Sequence, residues 1–157
     1  MRRVGTIFSL ERRLLTMPSS SGKAKYAFDR ICCSAYAAVS WEVEYTDAFG
    51  AWWERLSEDE QDSVAFVVGL LEERGVTLGF PYSSDVRGSR HGQMRELRVQ
   101  HEGRPFRVLY AFDPRRSALL LIGGDKTGQK RWYEEFVPIA DALFDEHLAS
   151  LARPKGE

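Results

Sequence analysis

From Trp41 to Tyr45 (WEVEY) apolar and acidic residues alternate with period two, the pattern of a strand covered on one face and wet on the other. The period then changes. Phe49, Trp52, Trp53 and Leu56 recur at helical offsets behind Asp47, which predicts a helix over 47–56. Ser57 and Glu60 have the spacing of a capping box. Val64, Val67, Val68 and Leu71 follow at i, i+3, i+4 and i+7 until Gly75, predicting a second helix and with the first a helical hairpin. From 94 to 122 the period returns to two: MRELRVQH alternates, GRP at 103–105 turns, FRVLYAFD alternates, DPRR at 113–116 turns, and ALLLI is a continuous apolar run suited to a central strand. Strands joined so closely form an antiparallel meander. After Gly123 and Gly124 comes a helical region in which Pro138 opens a second helix, with Ala140, Phe144, Leu148 and Leu151 as its buried stripe. Strand, two helices, three strands and helix make an α+β domain with helices on one antiparallel sheet.

This pattern begins only at Trp41. Residues 1–40 read as an N-terminal extension, 41–151 as the domain and 152–157 as a tail. Within the extension, Val4, Ile7, Phe8, Leu14 and Leu15 allow a short amphipathic helix, and PSSSGKAK at 18–25 reads as a flexible linker. The alternatives are a disordered leader or a reading frame extended past its true start, with Met17 or Val39 as initiation sites. Two early arginines suggest a signal peptide, but Glu11, Arg12 and Arg13 interrupt the apolar run before it reaches export length.

Composition narrows the class. With 157 residues, 43% apolar and 29% charged, the chain is large enough for one core and too apolar for disorder over most of its length. No run reaches the roughly 18 to 20 apolar residues of a membrane span, so a soluble protein is expected. The two cysteines, Cys32 and Cys33, are adjacent and make no disulfide framework, which leaves the cytoplasm as the expected compartment.

The net charge of −1 hides segregation: residues 1–40 carry +5, 41–86 carry −9, 87–131 carry +7 and 132–157 carry −4. The +7 block is either an anion-binding surface or a solvated strand face balanced by acidic helices. P-loop, dinucleotide, zinc-protease, CxxC and nucleophile-elbow motifs are absent from the sequence. His91, His101 and His147 fall on different elements, which disfavours a zinc site.

The remaining chemistry is cationic. If Leu97 and Val99 face the core, Glu96 and Arg98 lie on the open face of the sheet. If Phe106, Val108, Tyr110 and Phe112 form the core set of the next strand, Arg107 joins Arg98 there. With Lys126 from the following loop, these make a cradle for a phosphodiester, and Arg95 is a reserve member. Lys130, Arg131, Trp132 and Tyr133 pair cations with aromatics as single-stranded RNA sites do, although either ring could instead anchor the last helix.

Together WEVEYTDAFGAWWERL, GSRHGQMRELRVQHEGRPFRVLYAFDP and LLLIGGDKTGQKRWYEEFVPIADALFDEHL resemble the phage-derived HigB-like branch of the RelE toxin superfamily over about residues 41–151. The resemblance implies a RelE-like fold and a toxin of a type II toxin–antitoxin pair. It implies a metal-independent endoribonuclease with no cofactor that cuts messenger RNA on the ribosome and is silenced by a helix-turn-helix antitoxin. The RNA 2′-hydroxyl would attack the adjacent phosphate, leaving a cyclic phosphate and a 5′-hydroxyl. Carried over by position, Arg107 and Lys126 would stabilise phosphoryl charge, Arg98 would position the phosphate, and Tyr133 would transfer a proton or stack on a base. Where better-known RelE members have a lysine before Leu-Arg, this chain has Glu96, either a base in the lysine's place or a structural partner of Arg98; its pI of about 6.3 is also low for such toxins. Two rivals remain: a ParE-like gyrase poison, and a degenerate toxin that only binds its antitoxin as a co-repressor.

Overall fold

The computed structural model describes residues 40–153. The expectations for the extension up to residue 39, the two cysteines included, and for the tail beyond residue 153 lie outside the described residues.

A five-stranded sheet runs in the order β1-β5-β4-β3-β2, with β1 Val43–Tyr45, β2 Ser83–Asp85, β3 Arg95–His101, β4 Arg104–Phe112 and β5 Ala118–Asp125. The meander β3-β4-β5 is antiparallel, whereas β1 lies parallel to β5, so the sheet is mixed. Between β1 and β5 the chain runs through both helices and the strands β2, β3 and β4, a connection long enough for the two to lie parallel side by side. The three polar residues of β2 (SSD) have no apolar alternation to mark a strand, and it too went unforeseen. What fixes it is a buried hydrogen bond between Ser83 Oγ and Tyr110 Oη, 2.7 Å long.

Helices α1 (Asp47–Trp53) and α2 (Glu58–Arg74) pack on one face of the sheet, and α3 (Trp132–Ala152) packs on the other. The Thr46 side chain caps α1, accepting from the Phe49 amide. The predicted capping box starts α2, with Glu60 N donating to Ser57 Oγ at 3.3 Å and Ser57 N to Glu60 Oε2 at 2.9 Å. Between β3 and β4 the turn is Glu102-Gly103, both at positive φ (46° and 81°), one step earlier than the GRP reading; Arg104 and Pro105 already belong to β4.

Both faces of the sheet are covered, so the expectation of one open face is corrected. Phe106, Val108 and Tyr110 do pack beneath α1 and α2, but Leu109 and Ala111 are equally buried beneath α3. Nor does Pro138 open a second helix: α3 is continuous through it. Proline there removes one amide donor, and its acceptor, the carbonyl of exposed Glu134, remains within reach of water, while Trp132, Val137, Ala140 and Phe144 bind the helix to the sheet on both sides of the break. No helix among the described residues is long and apolar enough to cross a membrane.

Candidate functional site

At the end of the sheet where α3 begins, β3, β4, the loop after β5 and the first turn of α3 meet. Alternation along β3 puts Met94, Glu96 and Arg98 on the α3 face, and register sets Arg98 directly opposite Arg107 on β4. On the other flank Arg107 faces Gly124. A Cβ on Gly124 would lie 2.9 Å from Trp132 Nε1 and 3.1 Å from Phe136, so the absence of a side chain lets α3 press its first turn onto the strand. Trp132 is then fully buried, stacked on Phe136 at 4.4 Å, and Tyr133 is delivered to the rim above Arg107.

Glu96 organises this end. It is only 4% exposed, and each of its oxygens is engaged: Ser84 Oγ donates to Oε1 at 2.8 Å, and the Tyr133 hydroxyl donates to Oε2 at 2.7 Å. Arg107 Nε stands 3.8 Å from Oε1, an ion pair without a hydrogen bond, and this buried Nε has no hydrogen-bond partner among the described residues. A second arm of the same guanidinium donates to the Phe106 carbonyl at 2.9 Å. The expected pairing of Glu96 with Arg98 is corrected: Arg98 instead carries its guanidinium over the ring of Phe80, 5.5 Å from the centroid.

Lys126 Nζ lies 4.6 Å from the centre of the Tyr133 ring. Burial pushes the Tyr133 phenol up to about 12, helped by its hydrogen bond to and the charge of Glu96 and opposed by Arg107. The phenol therefore stays protonated at neutral pH and donates its hydrogen bond to Glu96.

Of the residues singled out in the sequence, Arg98, Arg107, Lys126 and Tyr133 share one end of one face. Arg95 does not join them: it points to the α1/α2 face and pairs with Asp85 at 3.5 Å. Trp132 is part of the core and offers no ring face to a base. Lys130 and Arg131 are exposed on the loop before α3, with Arg131 3.8 Å from Glu134. Sequence reasoning missed Ser84, since β2 gives no periodic signal. Much of the +7 block is answered by acids: Arg104 pairs with Glu60 and Asp125, and Arg115 with Glu44 and Asp113. Arg98 and Lys126 have no carboxylate partner among the described residues.

Folding also brings together groups able to hold a metal: ligand atoms of Glu44, Asp113 and His147 lie within 4.8 Å of one another. Arg115 already bridges the two carboxylates, donating to Glu44 Oε2 at 2.8 Å and Asp113 Oδ2 at 2.6 Å, and His147 Nε2 is 2.9 Å from Asp113 Oδ2. That set is a charge-compensated clamp, and Asp113 follows six residues along the chain from Arg107, about 20 Å of strand.

This mixed sheet, with two helices on one face and a long C-terminal helix on the other, defines a RelE-like α+β protein. The family model of phage-derived Gp49-like proteins matches residues 51–145. Two proteins of Mycobacterium tuberculosis are similar to this chain. One, provisionally named toxin HigB2, is 40% identical over 120 residues, 75% of this chain and 59% of the relative; the other, provisionally named toxin HigB3, is 46% identical over 100 residues, 63% of this chain and 86% of the relative. The chain thus spans 59% of the length of HigB2. It belongs to the Gp49-like family and is a HigB-like member of the RelE/ParE toxin superfamily.

Proposed function

We propose that this protein is the toxin of a type II toxin–antitoxin pair, acting in the cytoplasm as a metal-independent endoribonuclease on messenger RNA held by the ribosome, and silenced by a helix-turn-helix antitoxin. The toxin reading is supported by the names of its relatives. The nuclease reading is carried by one observation: Arg98, Arg107, Lys126 and Tyr133, from two strands, the loop after β5 and a helix end, gather at one end of the sheet around a buried carboxylate.

The chemistry follows from that patch. An RNA phosphodiester seated against Lys126 and the floor guanidinium of Arg107 would have its developing negative charge met by two cations. Arg98 fixes the strand on the open side. The 2′-hydroxyl gives its proton to the Tyr133 oxygen as Tyr133 passes its own to Glu96. The 2′-oxygen forms a bond to phosphorus, the bond to the 5′-oxygen breaks, and that oxygen takes a proton from Lys126. Glu96 in the place of the RelE lysine thus acts as the sink at the end of a relay.

Expression without antitoxin tests this directly. Arg107→Ala and Lys126→Ala should each relieve growth arrest at protein levels equal to wild type. Full toxicity in both variants would refute the assignment of the site.

A further inference from the structure

The aromatic platform expected at Trp132 is buried, yet an aromatic ring does stand exposed at the border of the cationic patch. Phe80, in the loop before β2, is 80% exposed, more than Phe66, Val76 or Ile139 among the large apolar side chains described. A phenyl ring so placed contributes little to the core. Its neighbour is Arg98, whose guanidinium lies 5.5 Å from the ring centroid. Arg98 in turn stands opposite Arg107, one strand spacing of about 4.8 Å away. The line Arg107, Arg98, Phe80 therefore leads outward from the buried guanidinium through a cation without a carboxylate partner to a solvent-facing ring. At the sheet edge toward α2 opens a cavity of about 560 Å³ lined by Asp62, Phe66, Pro81, Tyr82 and Arg98.

We propose that Phe80, flanked by Arg98, is a nucleobase-stacking subsite that receives the unpaired base next to the phosphate bound at Arg107 and Lys126. This inference rests on the nuclease reading above. A base lying on the ring covers exposed apolar surface, and its attached phosphate supplies the counter-charge that Arg98 lacks among the described residues. An apolar side chain of a protein partner would cover the ring but leave that guanidinium desolvated and unpaired, which is costly. Stacking accepts any base, since every base has a π face, so the subsite adds affinity and sets the strand's path, with preference among bases only through stacking strength.

The test is cleavage of a messenger RNA in a bacterial cell-free translation extract by the full chain, read by mapping 5′ ends. Wild type, Phe80→Ala, Phe80→Leu, Phe80→Trp and Arg107→Ala are compared, and binding of each to the antitoxin is measured in parallel. Stacking is worth about 1–3 kcal/mol per base, so Phe80→Ala should cut at rates about 5- to 150-fold lower at sub-saturating RNA, with little change at saturation. Phe80→Leu should remain impaired and Phe80→Trp should recover, with antitoxin binding unchanged throughout. If Phe80→Ala cuts like wild type while Arg107→Ala is inactive, the subsite is refuted and the nuclease reading stands. The same holds if leucine restores cutting, or if only antitoxin binding is lost. If wild type itself leaves the RNA intact, the nuclease reading fails and the subsite fails with it.

Discussion

Burying a carboxylate strips it of water, a loss that only well-placed polar neighbours offset. Glu96 has three, from β2, β4 and α3, and two of them are the groups assigned to the reaction. Glutamine at this position keeps an acceptor for the Tyr133 hydroxyl but cannot take its proton. Glu96→Gln should therefore lower RNA cleavage about 10²- to 10⁴-fold while melting within a few degrees of wild type, as should Tyr133→Phe. Single-turnover cleavage and thermal melting of the two proteins check this. Wild-type cleavage by Glu96→Gln would reduce the carboxylate to a structural brace. The sequence marked this position as the departure from the RelE pattern but could not tell a base from a partner of Arg98, because both readings need only that residues 96 and 98 share a face. The decision lay in β2 and α3, whose contacts with Glu96 span 12 and 37 positions of sequence.

At the scale of elements, the site depends on how closely α3 approaches β5. Gly124 is the contact point, and a branched side chain there would drive into Trp132 and Phe136. Gly124→Val should destabilise the fold by about 1–3 kcal/mol in denaturant titration, as overpacking does, and should abolish cleavage even at temperatures where the variant is fully folded. Activity equal to wild type in the folded variant would show that the seating of α3 does not matter to the site. The far end of β4 is tied to α3 by the Asp113 clamp. Burial alone would raise the Asp113 carboxyl, but hydrogen bonds from His147, Arg115 and Ser117 outweigh it and hold the group below its ordinary 3.8. A lowered value in the fold means that the carboxylate's contribution is complete above about pH 4 and is lost as pH falls through the lower folded value. Asp113→Asn should thus lose stability at neutral pH and show a shallower further loss than wild type between pH 4 and 2, followed by denaturant midpoints across pH. Parallel curves for the two proteins would contradict the clamp. The major elements were legible because they have a period: β1, α1, α2 and the meander follow from alternation, helical offsets and one capping box. The rest was not. Three polar residues form β2 through contacts distant in sequence, Ser83 with the Tyr110 hydroxyl and Ser84 with Glu96, and α3 runs through Pro138 because apolar anchors lie on both sides of it.

Across the whole molecule, the charge segregation visible in the sequence serves two ends. The acidic segment and the C-terminal helix supply carboxylates to Arg90, Arg95, Arg104 and Arg115, tying elements together, while Arg98 and Lys126 have no such partner among the described residues. The near-zero total therefore says little about partners; on the proposed function it is the local imbalance at one end of one sheet face that would receive RNA. That end combines cations, a protonated phenol and a buried carboxylate, to which the proposal assigns charge stabilisation and proton transfer, with an exposed ring at its border. The most direct test maps RNA 5′ ends in cells after brief induction without antitoxin, comparing wild type with Arg107→Ala. New 5′-hydroxyl ends within coding sequences, present for wild type and absent for the variant, are the predicted result. Intact transcripts in growth-arrested cells, or the same cuts from both proteins, would contradict it.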